Sequence, residues 1–88
     1  MRIDLLMNRL CLVKSRSIAK NACDRDLVLI NDKPVKASTE VREGDLIQYS
    51  VYGYDTIIRI LKIPTGNVSK KNASTYYEVI SREKLDLY

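Results

Sequence analysis

Within the stretch Leu12–Cys23, LVKSRSIAKNAC, the cations Lys14, Arg16 and Lys20 crowd together around two serines. On an α-helix, Arg16 and Lys20 are four residues apart and share one face, with Ser17 and Asn21 on its border. Their mutual repulsion costs about a few tenths of a kcal/mol in water, and phosphate groups reverse its sign. Ser15 is placed to cap that helix. The amides of its first turn, with the hydroxyls of Ser15 and Ser17, offer hydrogen bonds to phosphate oxygens. Arg16 at the helix start opposes the macrodipole, which favours anions there, so a negative partner accounts for a cation that harms the free helix. The competing account is a solvated charged face that serves solubility alone.

The charge distribution favours the first account. Net charge is +4 over 88 residues, and the segment 1–23 carries all of it, with Arg2, Arg9, Lys14, Arg16 and Lys20 against Asp4 alone. From residue 24 onward, acids and bases cancel. A molecule this lopsided attracts polyanions through a field that weakens with salt. Arg2 and Arg9 are expected to border the same patch. Lys70 and Lys71 form a second basic pair, read as a polar loop that also lies open to phosphate.

Little in the chain suggests catalysis. Histidine is absent, and neither Cys11 nor Cys23 stands in a base–nucleophile arrangement. Asp24, Asp26 and Asp32 are accounted for by capping and turns, and PTGNVSKK lacks the spacing of a phosphate-binding loop. No enzyme activity, cofactor or metal is expected, and both cysteines are read as buried free thiols. The sequons at Asn67 and Asn72 are read as chance matches. The longest apolar run is no longer than Leu27–Ile30, far short of a bilayer span, and the expected location is the cytoplasm.

Elements that would position the basic stretch follow from periodicity. Ile3, Leu6 and Leu10 repeat at helical spacing, which predicts a first helix over Leu5–Leu12 capped by Asp4. A second runs from Arg16 to Arg25, with Ile18, Ala19, Ala22 and Cys23 inward, after a sharp turn at Val13-Lys14. Strand character at Leu27–Ile30, a tight turn at Asn31-Asp32 and a return over Val35–Ala37 come next. A turn at residues 42–45 leads into a hairpin of Leu46–Tyr52 and Thr56–Ile63 joined by Gly53-Tyr54-Asp55. NVSKKNAST reads as a loop or weak helical turn, and YYEVISREKL as a closing strand, with Tyr77, Val79 and Ser81 on one side, or a late helix.

Tyr49, Tyr52, Tyr54, Tyr76 and Tyr77 offer rings on which unpaired bases stack. Their structural reading is that Tyr49 and Tyr77 cover the core while Tyr54 sits in an exposed turn. The predicted fold class is α+β: two packed N-terminal helices followed by a small, mostly antiparallel sheet. One domain is expected, with the helices and main hairpins over 1–63, the part to which the family resemblance assigns RNA binding, and a C-terminal loop and closing element over 64–88.

RIDLLMNRLCLVKSRSIAKNAC followed by VLINDKPVKASTEVREGDLI resembles the RNA-binding domain named after ribosomal protein S-four, the alpha-L RNA-binding motif. Shared features are an opening Arg-apolar-Asp, an Arg-Leu before a basic, serine-rich helix, an apolar strand ending in Asn, a Lys-Pro return and a Gly-Asp turn. With VKASTEV and the tail ASTYYEVISREKL, the chain is similar to the small RqcP family of bacterial ribosome-associated quality control, which is related to heat-shock protein 15. The resemblance implies a noncatalytic factor on obstructed large ribosomal subunits. Its expected partners are large-subunit ribosomal RNA, peptidyl-tRNA and an alanine-tailing quality-control factor that extends stalled nascent chains.

Carried over from the resemblance, Arg2, Arg9, Lys14, Ser15, Arg16, Ser17 and Lys20 form the RNA-binding surface, with Lys33, Lys36 and Ser38 continuing it along the hairpin edge. Asp26 and Asp32 stand where the family usually has Gly, Leu27 where it has a basic residue, and Leu5 where it has Lys. A role closer to heat-shock protein 15, or binding of another structured RNA, is the neighbouring alternative. The alternative from a different class is a protein-interaction adaptor that uses the hairpin edge and Tyr52-Gly53-Tyr54.

Overall fold

The computed structural model describes residues 1–85, so the last three residues of the expected closing element, 86–88, lie outside the described residues. Helix α1 spans Ile3–Arg9 and α2 spans Arg16–Asp24. The first helix therefore starts and stops earlier than its periodicity predicts. At its start, the Ile3 and Asp4 amides donate to the carbonyls of Thr39 (2.8 Å) and Ala37 (3.2 Å), so a remote segment satisfies donors that a local cap would otherwise meet. Arg2, not Asp4, occupies the cap position, and Asp4 lies buried in the first turn.

The end of α1 is a left-handed reversal. Cys11 takes φ 59°, its amide donates to the Asn8 carbonyl (3.1 Å), and the Leu12 amide donates to Met7 (2.9 Å). This is the Schellman pattern, with cysteine where glycine is usual, so no sequence signal marks the stop. Cys11 is consequently exposed rather than buried, whereas Cys23 is buried as expected. Helix α2 closes in the same way: Asp26 takes φ 58°, and the Leu27 amide reaches the Ala22 carbonyl at 2.8 Å. Aspartate is among the few non-glycine residues that tolerate this conformation.

Five antiparallel strands follow, β1 (Val28–Ile30), β2 (Lys33–Pro34), β3 (Leu46–Val51), β4 (Tyr54–Ile60) and β5 (Tyr77–Lys84), in the order β2-β1-β3-β4-β5. Asn31 (φ 50°) and Asp32 (φ 69°) form the expected tight turn. Because its loop has only these two residues, Ile30 pairs at once with Lys33, which puts the return strand at Lys33–Pro34 rather than Val35–Ala37. Ala37 is left free to serve α1.

The β3–β4 hairpin turns at Tyr52 (φ 54°) and Gly53 (φ 78°), with Val51 opposite Tyr54. This tip lies ahead of the Gly53-Tyr54-Asp55 that the sequence pattern predicts, because pairing with Val51 draws Tyr54 out of the turn and into β4. Strand β4 stops at Ile60, after which the amides of Leu61 and Lys62 both donate to the Tyr76 carbonyl. The turn at 42–45 forms as predicted, with Gly44 at φ 90° and the Asp45 carboxylate accepting the Arg42 amide.

In the polar stretch a helical turn, α3 (Lys70–Ala73), is capped by Ser69, and β5 completes the sheet. A bulge offsets its pairing: Val79 opposes Ile58, but Ser81 opposes Ile57 and Arg82 opposes Thr56. Tyr77 and Val79 share the inner face as predicted. Ser81 does not, because the extra residue reverses the alternation and brings Arg82 inward instead.

Ile3, Leu6 and Met7 of α1, Leu10 at its C-cap, and Ala19 and Ala22 of α2 pack on Val28, Ile47, Ile58 and Ile60 of the sheet, and all are almost fully buried. The alanines let the helices approach closely. Among the described residues, no helix is long and apolar enough to cross a membrane.

Candidate nucleic-acid interface

The helix pair brings Arg2 and Arg16 to one carboxylate. The Arg2 Nε donates to Asp4 Oδ1 at 2.6 Å, and an Arg16 guanidinium nitrogen lies 3.4 Å from Asp4 Oδ2. Asp4 Oδ1 also accepts the Leu5 amide at 2.7 Å. The Asp4 side chain is 4% exposed, while those of Arg2 and Arg16 are 41% and 46% exposed. Each guanidinium is thus anchored on its inner side and open to solvent on its outer side.

Burial alone would raise the Asp4 pKa. The hydrogen bond from Arg2, the Leu5 amide and the charges of Arg16 and Arg2 outweigh it and hold the carboxyl below its usual range. Asp4 therefore stays ionised at neutral pH. Its single charge is opposed by two arginines, and the pair presents a net positive, pre-positioned fork.

Ser15 caps α2 through its side-chain oxygen, which accepts the Ile18 amide at 3.4 Å, and its hydroxyl proton remains available to an acceptor. Ser17 and Lys20 are exposed on the same short helix, and Lys20 follows Arg16 by four residues. Lys14 is exposed in the linker, with its backbone amide donating to the Tyr52 hydroxyl at 3.0 Å.

The residues expected along the hairpin edge divide. Ser38 lies between Ala37 and Thr39, whose carbonyls accept the Asp4 and Ile3 amides, so the segment carrying Lys36 and Ser38 runs beside the start of α1. An isolated bridge between Arg2 and Glu40 extends that contact. Lys33 is exposed on β2, the edge strand of the sheet, outside that contact. Arg9 closes the far end of α1, about 10 Å along the axis from Arg2, and is partly buried.

Two residues acquire roles that periodicity does not show. Asp4 reads as a cap but serves as the clamp; the available signal is that it is the sole acid among five bases in residues 1–23. Tyr52 ties the hairpin tip to the linker. Among the described residues, no group of three or more Cys, Asp or Glu side chains converges as a metal site requires.

Comparison with known proteins accords with this geometry. The S4 domain pattern matches residues 1–47, which contain both helices, the first hairpin and the turn into β3. An RQC P-site tRNA stabilizing factor of Halalkalibacterium halodurans is 32% identical over 97% of this chain and 96% of its own length. One from Helicobacter pylori strain J99 is 34% identical over 94% of this chain and its own full length. The trimeric structure of Vibrio cholerae heat shock protein 15 superposes with a TM-score of 0.85 at 25% identity, covering 92% of this chain and 82% of that one. With the domain pattern over more than half of its residues and two near-full-length relatives at 32% and 34% identity, the chain belongs to the RqcP family of S4-domain proteins.

Proposed function

We propose that the protein is a noncatalytic RNA-binding factor that grips large-subunit ribosomal RNA and tRNA on obstructed large ribosomal subunits. In this reading it holds peptidyl-tRNA in place while an alanine-tailing factor extends the stalled chain, and it works in the cytoplasm. The observation that carries the reading is the pair of half-exposed arginines converging on buried Asp4 beside the open start of α2. Such a fork matches adjacent phosphates by shape as well as charge, as recognition of folded RNA requires. Lys14, Ser15, Ser17 and Lys20 extend the phosphate contacts, and Lys36 and Ser38 flank them. Arg9 and Lys33 contribute long-range field at the margins. Family membership supports the ribosomal setting, since the named relatives are P-site tRNA stabilizing factors.

Crosslinking the protein in cell extract and sequencing the attached RNA tests this reading. Large-subunit ribosomal RNA and tRNA should be enriched, and an Arg16→Ala/Lys20→Ala double variant should lose them. With purified subunits, the slope of log affinity against log salt should fall by about 2 in that variant, one for each phosphate contact removed. Equal recovery of unrelated RNAs by both proteins would sink the ribosomal assignment.

A further inference from the structure

We propose a second RNA contact, resting on the RNA-binding reading above: a tyrosine-lined hollow beside the α1–α2 linker that takes a single unpaired nucleobase. The hollow has a volume of about 200 Å³ and is lined by Tyr49, Tyr52, Tyr54, Tyr77, Val79 and Arg82. It exists because the helices cover β1, β3 and β4, while the inner face of β5 runs on beyond them. Val79 is consequently 54% exposed although it lies on the core side of the sheet.

Two features beyond core packing build the hollow. The bulge in β5 turns Arg82 to the inner face, opposite Thr56, where its guanidinium carbon stands 4.3 Å from the centre of the Tyr54 ring. A bulge that re-aims a charged side chain onto an aromatic ring does nothing for the apolar core. Tyr52, in turn, is 55% exposed and holds a left-handed backbone, φ 54°, that ordinary residues rarely adopt. Its hydroxyl accepts the Lys14 amide, which fixes the ring beside the basic linker.

The lining chemistry selects the occupant. Tyrosine rings and a guanidinium stacked on one of them are surfaces on which any base stacks. Among the described residues, no acid lines this hollow or its neighbour, which shares Cys11, Leu12 and Tyr52 and adds Lys14 and Lys70. Those lysines lie where the phosphates flanking an inserted base would pass. Through Lys14 the hollow is continuous with the phosphate-binding face of α2, so a strand crossing that face can leave one base in it.

The test compares two probes, a short single-stranded oligoadenylate and a blunt RNA duplex of equal phosphate number. Tyr52→Asn removes the ring while keeping a residue that tolerates the left-handed turn. It should lose about 10- to 100-fold in affinity for the oligoadenylate, the scale of one stacked base, and change duplex binding by less than about twofold. Tyr52→Phe keeps the ring and loses only the hydroxyl that accepts the Lys14 amide, so it should retain most of the oligoadenylate affinity that Tyr52→Asn loses and bind the duplex as the parent does. Arg16→Ala/Lys20→Ala should weaken both probes. In the unmodified protein, the ring resonances of Tyr52 and Tyr54 should move upfield with the oligoadenylate and not with the duplex.

Equal affinity of Tyr52→Asn and parent for the oligoadenylate, or unmoved ring resonances, overturns the base site while leaving the phosphate face intact. The hairpin tip would then be free for a protein contact. Failure of the unmodified protein to bind either probe overturns the RNA reading and the base site together.

Discussion

Replacing Asp4 by Asn tests whether one buried carboxylate organises the arginine pair. The substitution keeps shape and one carbonyl oxygen, which can still accept the Leu5 amide now 2.7 Å away. It removes the charge that Arg2 meets at 2.6 Å and Arg16 at 3.4 Å. A hydrogen bond to a charged group is worth about 1.5 to 3 kcal/mol net when well shielded. Both arginines are more than 40% exposed, so water recovers much of that and the pair terms are discounted accordingly. The expected loss is about 2 kcal/mol at neutral pH, or roughly 10 °C in Tm for a domain of this size.

The pH dependence makes the test specific. The Asp4 pKa lies lower in the folded protein than in the unfolded chain, so the unfolded state binds more protons between the two values and stability rises with pH across that window. The contribution is complete above the unfolded value of about 4 and disappears as pH falls through the folded value. Thermal melts of the parent and Asp4→Asn should therefore converge in acid, because a protonated aspartate and an asparagine are both neutral. Melting curves separated by the same interval at neutral and acid pH would show that the charge is not what the arginines contribute to folding. Identical curves at neutral pH would show that the clamp is idle.

Two further outcomes concern the helix ends and the thiols. Burial first, then the charges of Asp4 and Asp24, push the Cys23 thiol up to about 11, while Cys11 is exposed, so a thiol reagent at mildly alkaline pH should modify one group per native chain quickly. Cys11→Ser should abolish that fast phase, and two fast equivalents in the parent would contradict the burial of Cys23. Asp26→Gly should raise stability by about 0.5 to 1 kcal/mol in denaturant melts, since glycine takes the φ of 58° without a side-chain penalty. A lower melting midpoint for Asp26→Gly would mean that the aspartate makes a compensating contribution.

Much of the fold is legible in the residues themselves. Ile3, Leu6 and Leu10 announce an inward helix face, and Asn31-Asp32 announces a two-residue turn, because each signal depends only on near neighbours. The end of α1 is not legible, since its left-handed residue is cysteine and the hydrogen bonds that stop it would suit almost any side chain. The side of the sheet that Arg82 faces is equally hidden. One extra residue in β5 reverses the alternation, and only the pairing with β4 shows where that residue sits.

The site divides along the same line. Arg16 and Lys20 lie within one helix, so their shared face follows from helical geometry, and the charge excess of residues 1–23 follows from counting. That Arg2 joins Arg16, that Asp4 is the anchor between them, and that Ser38 lies alongside were decided by tertiary packing. Arg2 and Asp4 are near neighbours, but Arg16 and Ser38 are remote in the chain and meet them because α1 folds back against α2 while the segment after β2 supplies carbonyls to its first turn. Local periodicity sets which way a side chain points on its own element. Only the closure of the core, which brings distant backbone groups within hydrogen-bonding range, sets what that side chain meets.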